Sequence, residues 1–497
     1  MNIREAKEDI IHTVRAYLSK NQYGQYRIPR NRQRPILLMG PPGIGKTQIM
    51  AQIASECEIG LVSYTITHHT RQSAVGLPYI EEATFDGISG SVTRYTMSEI
   101  IYSIYRYMED TGRREGILFI DEINCVSETL APTMLQFLQN KTFGNQAVPE
   151  GWIIVTAGNP AEFNKSVHEF DFVTLDRVRR IDISADLDAF RAYAREMHLH
   201  PFILSYLELS PKNFYLTEND VDGLSFVTAR GWEDLSYLVR AYEELGIGIS
   251  EEVVKQFLQH EETARDVAVY YNLYQTYRDQ YDIRKILNGR VAPEMYARLL
   301  HAPFDERSSL VSLLTDGLHQ DVLKAMEQDR LTKDLYAFLK DYRQELPEQG
   351  AEGGRFRTSL EALRKEHAKE EKTGLLTPAD KKHKAALVSR LDSWIPDPAG
   401  EGQAAFSMMQ EQFNKETGLR RDLLNLAADA MSHAFSFMDT AFGESPEMVI
   451  FVTELTMDPV ISLYIAEYGS EDYEKYSSSL LIGSRRADLL RELDKSE

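Results

Sequence analysis

The feature that most constrains the fold is the glycine-rich run at residues 40–47, Gly-Pro-Pro-Gly-Ile-Gly-Lys-Thr, directly after the apolar stretch 35–39. A strand, a glycine-rich turn and a helix together form a cradle of backbone N–H groups for phosphate, to which the helix N-terminus adds its dipole. In such a cradle Lys46 reaches the β- and γ-phosphates, and the Thr47 hydroxyl binds Mg²⁺. The predicted nucleotide-binding residues are Gly40, Pro41, Pro42, Gly43, Ile44, Gly45, Lys46, Thr47 and Gln48.

Two acids, Asp121 and Glu122, end a second apolar run at 116–120. Ligands bind at the carboxyl ends of strands in open α/β sheets, so this pair is predicted to lie beside the phosphate cradle. Asp121 would hold Mg²⁺ through water, and Glu122 would orient and deprotonate the attacking water. A pair of surface acids is the alternative.

A third apolar run, 152–158, carries Asn159 at its end. An amide at this position is predicted to contact the γ-phosphate or the attacking water. Because asparagine followed by proline also favours turns, a simple turn is the alternative. The lead-in at 21–34 contains Tyr23, Tyr26 and Ile28, which either touch an adenine base or belong to an ordinary surface loop.

The order of the remaining patterns predicts an α/β nucleotide-binding fold with a parallel five-stranded sheet. Two β-prone runs around 76–95 predict a hairpin inserted before a helix at 98–107, and a fifth strand closes the sheet near 178–183. From 187 the chain reads as helices, in which the four tyrosines at 270, 271, 274 and 277 are expected to pack in the core. We predict a nucleotide-binding core at 1–186, a helical lid at 187–300 and a mostly helical region at 301–497 with a hinge near 345–377.

Composition limits the partners. The net charge is −21 and the pI about 5.1, which disfavours a nucleic-acid-binding surface because phosphates are neutralised by lysine and arginine. The two cysteines, Cys57 and Cys125, indicate neither a disulfide framework nor a metal site. No apolar run is long enough to cross a membrane, so we expect a cytoplasmic protein without membrane insertion.

With these motifs in this order, the chain resembles the AAA+ superfamily and, within it, the MoxR-like and dynein-related branch. The resemblance spans about residues 30–245 and is carried by the motifs at 40–47, 117–124, 156–160, 175–177 and 228–230. It implies that Lys46 and Thr47 are the Walker A pair and that Asp121 and Glu122 are the Walker B pair. It also implies that Asn159 is sensor 1.

The same resemblance assigns two arginines. Arg177 matches the arginine finger that reaches the site of a neighbouring subunit, and Arg230, at the start of a lid helix, matches sensor 2. A salt bridge to Asp176 or Asp182 is the alternative for Arg177, and an exposed helix charge is the alternative for Arg230. Arg179 and Arg180 also compete for the finger assignment.

The leading hypothesis is a Mg²⁺-dependent ATPase that assembles into a ring, expected to be a hexamer, and remodels or assembles a protein client. The resemblance implies a partner with a von Willebrand factor A domain and favours ATP over GTP. A nucleic-acid motor or restriction-type NTPase is the alternative, with a channel lined by Arg71, Arg94, Arg106, Arg113 and Arg114. A nucleotide-switched scaffold without hydrolysis is a third possibility, which Glu122 disfavours.

Overall fold

The structure is a computed structural model and describes residues 1–68, 70–85, 88–143, 146–163, 167, 170–220, 223–344, 355–395 and 403–478. The chain divides into two compact units. The first comprises Met1–Ala189 with Arg364–Lys381, and the second comprises Phe190–Leu363 with Lys382–Glu497.

The first unit alternates strands and helices. In chain order they are α1 (Ile3–Leu18), β1 (Ile36–Met39), α2 (Gln48–Glu56), β2 (Gly60–Thr65), α3 (Arg71–Val75), β3 (Pro78–Phe85), β4 (Ile88–Tyr95), α4 (Glu99–Thr111), β5 (Gly116–Asp121), α5 (Ala131–Asn140), β6 (Thr142–Phe143), β7 (Gln146–Ala147), β8 (Trp152–Gly158), α6 (Phe172–Leu175), β9 (Arg179–Asp182) and α7 (Leu187–Glu196), which continues into the second unit. Strands β2, β5, β8, β1 and β9 pair in that order, all in parallel. The predicted five-stranded parallel sheet is confirmed.

The three central strands are β5, β8 and β1. Ile36, Leu37 and Leu38 of β1 are at most 1% exposed, and β8 is buried along its whole length. A strand covered on both faces needs apolar residues at successive positions, which explains the continuous apolar runs in the sequence. Register aligns the ends of these strands: Met39 of β1 pairs with Gly158 of β8, so the segments that leave the two strands start side by side.

The inserted hairpin is also confirmed. Strands β3 and β4 pair antiparallel from Pro78 opposite Tyr95 to Phe85 opposite Ile88, and α4 follows them. The turn at 86–87 lies outside the described residues. Because β3 and β4 pair only with each other among the described strands, the hairpin adds a separate two-stranded sheet to the unit.

The second unit is mostly helical, as predicted. After α7 it contains α8 (Pro201–Leu209), β10 (Leu216–Asp220), β11 (Gly223–Val227), α9 (Ala229–Leu245), α10 (Glu251–Lys255), α11 (Glu261–Gln280), α12 (Ile283–Leu287), α13 (Pro293–Leu299), α14 (Phe304–Gln344), α15 (Arg355–Lys372), α16 (Pro378–Asp392), α17 (Gln403–Phe442), α18 (Pro446–Met457) and α19 (Pro459–Tyr468). Residues 364–381 of α15 and α16 belong to the first unit. The four tyrosines of α11 are at most 8% exposed, which confirms that they pack in the core.

We predict a boundary at residue 300 between a lid and a C-terminal region. In the structure, residues 190–363, on both sides of that boundary, belong to one unit. The reason is the 41-residue helix α14, which packs against α8, α11 and α12 on the one hand and against α17, α18 and α19 on the other. Part of the segment 345–377, where a hinge is expected, forms helix α15 at 355–372. This helix buries Phe356 and Leu360 in an apolar cluster with α14 and α16. Residues 345–354 of that hinge lie outside the described residues.

None of the described helices is by itself long and apolar enough to cross a membrane. The pair α18 and α19 reaches that length and composition together, with a bend of 83° between the two helices.

Candidate nucleotide site

The loop between β1 and α2 has the geometry of a phosphate cradle. Gly45 has φ +93°, a conformation that residues with a side chain rarely adopt. At Gly40 a Cβ would lie 2.6 Å from the Ile183 carbonyl oxygen, so the close approach of the chain after β9 requires glycine there. Lys46 is only 7% exposed, and its Nζ donates to the carbonyls of Gly40 and Pro41, each at 2.8 Å. The loop therefore wraps around the lysine ammonium.

Asn159 meets the same ammonium. Lys46 Nζ donates to Asn159 Oδ1 at 2.8 Å, and the aligned ends of β1 and β8 bring the two residues together. Asn159 thus lies in direct contact with the phosphate loop, and its predicted contact with the γ-phosphate or the attacking water stays a prediction. An ammonium and a neighbouring side-chain amide can both donate hydrogen bonds to phosphate oxygens.

Thr47 and Asp121 form a second pair at the site. Thr47 Oγ1 donates to Asp121 Oδ2 at 2.6 Å, and Asp121 Oδ1 accepts the Glu122 backbone N–H at 2.9 Å. Hydroxyl, carboxylate and phosphate oxygens with water are the ligands that Mg²⁺ takes at nucleotide sites. The glycine-lined loop, the buried lysine and this oxygen pair together fit a nucleoside triphosphate with its magnesium ion.

Glu122 is held in an unusual conformation. Its φ is +57°, one of four positive values for residues other than glycine among the described residues, and such backbone strain concentrates at functional sites. Its Oε2 accepts a hydrogen bond from Thr67 Oγ1 at 2.9 Å. Thr65 of β2 pairs with Asp121 of β5, so the chain just beyond these two residues places Thr67 beside Glu122.

Sequence reasoning gave no role to Thr67 or to Asn124. Asn124 is 2% exposed, and its Nδ2 donates to the Asn159 carbonyl oxygen at 2.8 Å, which fixes the backbone that carries the Asn159 side chain. Its place in the motif at 117–124 indicates that Asn124 lies near the site. Its partner, Asn159, can be named only from the pairing of β5 with β8. Thr67 follows β2 without any local motif, so no sequence signal identifies it.

The three candidates for the arginine finger, Arg177, Arg179 and Arg180, differ in their contacts. Arg179 binds both carboxylate oxygens of Asp9 at 2.7 Å, and Arg180 pairs with Asp182 at 2.8 Å. Arg177 is exposed, donates to the Val173 carbonyl at 3.3 Å and forms no ion pair with any residue that the structure describes. Neither salt bridge considered for Arg177, to Asp176 or to Asp182, is among the ion pairs of the described residues, and Asp182 pairs with Arg180 instead.

Arg230 lies in the second unit, in the first turn of α9. Thr228 caps this helix, accepting the Gly231 N–H at 3.2 Å, and the Arg230 side chain is exposed. Its role as sensor 2 stays a prediction.

Tyr26 lies near the start of β5, at the end of the strand away from Asp121 and Glu122. Its hydroxyl donates to Glu115 at 2.8 Å, and Glu115 directly precedes β5, whereas Asp121 and Glu122 follow its other end. Burial and the neighbouring Glu115 carboxylate raise the pKa of this tyrosine. The surface-loop alternative therefore holds for Tyr26.

The importance of the hydrogen bond from Thr67 to Glu122 can be tested by substitution. We expect Thr67→Val to lower kcat by about tenfold to a hundredfold, because misplacing a catalytic group by an ångström costs this much. ATP hydrolysis under saturating nucleotide measures the effect. Thr67→Ser keeps the hydroxyl and serves as the matched control. Equal rates for the valine and serine variants would show that the hydrogen bond to Glu122 has no catalytic importance.

Part of the first unit matches a known protein family. Residues 36–173 match the model of the AAA family, described as the ATPase family associated with various cellular activities. No curated protein matches the chain. A solved structure of a candidate ATPase from Cytophaga hutchinsonii ATCC 33406 is similar over 39% of this chain and 55% of its own length, with 15% identity and a TM-score of 0.24. The chain thus matches little more than half of that protein.

The matched family segment includes the phosphate loop and the residues that the fold gathers around it, Asp121, Glu122 and Asn159. Arg177 and Arg230 lie beyond it. Residues 36–173 of the first unit therefore match the AAA ATPase family.

Proposed function

We propose that the protein is a Mg²⁺-dependent, ring-forming AAA+ ATPase of the MoxR-like branch that remodels or assembles a protein client. The observation that carries the proposal is the convergence of two contacts on one loop: Lys46 with Asn159 at 2.8 Å and Thr47 with Asp121 at 2.6 Å.

Each residue has a distinct part in hydrolysis. Lys46 binds the β- and γ-phosphate oxygens, and Thr47 and Asp121 hold the magnesium ion, which neutralises charge on the phosphates. Asn159 orients the γ-phosphate or the attacking water through its side-chain amide. Glu122 accepts the proton of that water on a carboxylate oxygen. Thr67 keeps the carboxylate in place.

A ring is proposed from the surroundings of Arg177. Phe172 and Val173 of the adjacent helix α6 are 83% and 50% exposed, so an arginine without an ion pair among the described residues lies beside exposed apolar side chains. Such a surface suits contact with a second copy of the chain. Arg177 would then reach the neighbour's nucleotide and stabilise charge on the transferring phosphoryl group.

A protein client, with a von Willebrand factor A domain protein as the partner, is proposed from the resemblance. The inserted hairpin supports a protein-binding role, since Ile80 and Tyr79 of β3 are 75% and 45% exposed. Two arginines of the alternative nucleic-acid channel are already paired with acids, Arg94 with Glu81 and Arg106 with Asp110. These pairs and the net charge of −21 disfavour that alternative.

The test is ATPase activity per mole of chain as a function of protein concentration, with the native mass measured in parallel. We expect both to rise together, because the Arg177 side chain comes from a neighbouring subunit. Constant activity at monomer mass would refute the ring. Stimulation by single- or double-stranded DNA at moderate salt would refute the protein-client role in favour of a nucleic-acid motor.

A further inference from the structure

A small cavity in the second unit is lined by two histidines and an aspartate from three separate elements. His198 lies in the turn between α7 and α8, His319 lies in α14, and Asp458 precedes α19. The cavity has a volume of about 60 Å³, enough for an ion with its water. Each of the three residues brings one nitrogen or oxygen within 4.8 Å of those of the other two.

His319 is oriented as metal-binding histidines are. Its Nδ1 shares a hydrogen bond of 2.7 Å with Asp458 Oδ2, whereas its Nε2 is buried without a partner among the described residues. The residue is only 3% exposed, so an unpaired nitrogen there costs free energy. A carboxylate that accepts from one ring nitrogen fixes the tautomer and leaves the lone pair of the other nitrogen for a metal.

Asp458 is well suited to this supporting role. Its Oδ1 caps α19 by accepting the backbone N–H groups of Val460 and Ile461, both at 2.9 Å. These bonds fix the carboxylate, so its Oδ2 holds His319 in a single orientation.

His198 supplies a second imidazole at the cavity. Its ring centroid lies 4.0 Å from that of His319. Its backbone has φ +51°, and its carbonyl accepts Arg240 Nη2 at 2.6 Å. The surrounding fold therefore holds this histidine in a strained backbone conformation against the cavity.

Other titratable groups at the cavity are Arg195, Glu454 and Asp316, and burial raises the pKa of the Asp316 carboxyl. Arg195 lines the cavity and binds Glu454 through both of its carboxylate oxygens. This ion pair leaves the imidazoles of His198 and His319 as the nitrogen ligands at the cavity.

We propose that His198 and His319 bind a divalent transition-metal ion of the zinc class at this cavity, with Asp458 as the carboxylate that orients His319. Imidazole ligands suit Zn²⁺, Co²⁺, Ni²⁺ and Cu²⁺ and not Mg²⁺ or Ca²⁺. Ligand atoms around tetrahedral zinc lie about 3.3 Å apart for bonds of about 2.0 Å, so side-chain adjustments of about an ångström complete the site. Water in the cavity fills the remaining positions. The ion would join α14 to the ends of α7 and α18.

Titration of the metal-free full chain with Co²⁺ tests this site, with visible absorption as the readout and no nucleotide present. We expect one ion per chain, bound at micromolar concentration or tighter, displaced by Zn²⁺ and accompanied by a higher melting temperature. His198→Gln and His319→Gln should each remove the absorption. Asp458→Asn, which keeps a helix-capping side chain, should weaken binding by about tenfold to a hundredfold.

His383→Gln is the matched control, since this histidine of α16 pairs with Asp334 away from the cavity. Circular dichroism establishes that each variant is folded. Absence of nitrogen-ligated Co²⁺ absorption in the wild-type chain at a large molar excess of metal would overturn the proposal. Retention of the wild-type spectrum in His319→Gln would also overturn it.

Discussion

Replacing Glu122 by glutamine is expected to lower the rate of ATP hydrolysis by about 10²–10⁴-fold while leaving ATP binding intact, because general-base catalysis contributes this much. Glutamine has the same shape and can still accept the hydrogen bond that Thr67 makes to Glu122 at 2.9 Å. It cannot take a proton from water. The phosphate loop and the Thr47–Asp121 pair are left unchanged. Single-turnover hydrolysis and equilibrium binding of ATP, measured on the same preparation, separate the two effects.

Lys46→Ala should behave differently from Glu122→Gln. Lys46 is buried and donates to two loop carbonyls and to Asn159, so its removal takes away the charge that binds phosphate and leaves those oxygens without this donor. We expect this variant to lose nucleotide binding as well as hydrolysis. The matched control for Glu122→Gln is Glu128→Gln. Glu128 is an exposed acid that lies, like Glu122, in the segment between β5 and α5. A Glu122→Gln enzyme that hydrolyses ATP at the wild-type rate would exclude Glu122 as the base.

The core of the site could be predicted from sequence because each part has a local signal. Buried parallel strands read as unbroken apolar runs, and β1, β5 and β8 are of this kind. The glycine-rich loop from Gly40, Asp121 and Asn159 lie at the carboxyl ends of these strands, and parallel strands place such residues at one edge of the sheet. The parallel pairing of β1 with β8 sets Met39 opposite Gly158, and this register brings Asn159 to Lys46.

Other parts of the site could not be predicted because they depend on partners distant in the chain. Thr67 has no motif of its own, and its contact with Glu122 follows from the pairing of β2 with β5. The resemblance assigns Arg177 through the motif at 175–177, but the sequence does not show how the contacts of Arg177, Arg179 and Arg180 differ. Their difference depends on Asp9 in α1, which lies far from them in the chain and pairs with Arg179.

The long helix α14 was not predicted for a related reason. A helix at a protein surface has one apolar stripe, whereas a helix packed on several sides is apolar in several directions. Helix α14 is packed by α8, α11, α12, α17, α18 and α19, and it buries polar residues such as Asp321 and Gln328. At Gly317 a Cβ would lie 2.8 Å from Ile283 Cγ2 of α12, so glycine here marks a close helix contact and not a break in the helix.

The second large effect is expected for Arg177→Ala, which should lower the turnover number by about 10³–10⁵-fold if the side chain acts as an arginine finger. ATP binding to the isolated chain should be unchanged, since the hydrogen bond that the structure gives the Arg177 side chain is to the Val173 carbonyl and not to a residue of the phosphate loop. Steady-state hydrolysis at saturating ATP measures the loss. Arg180→Ala is the control: that residue is exposed in the same way but pairs with Asp182.

Mixing two inactive variants distinguishes a finger from an ordinary surface charge. Lys46→Ala chains keep Arg177 but bind no nucleotide, whereas Arg177→Ala chains keep an intact phosphate loop. In a mixed ring, Arg177 of the first variant faces the nucleotide bound by the second, so we expect activity to return on mixing. A mixture as inactive as its components would contradict action between subunits. An Arg177→Ala enzyme with the wild-type rate would mean that the exposed arginine beside Phe172 and Val173 has no part in hydrolysis.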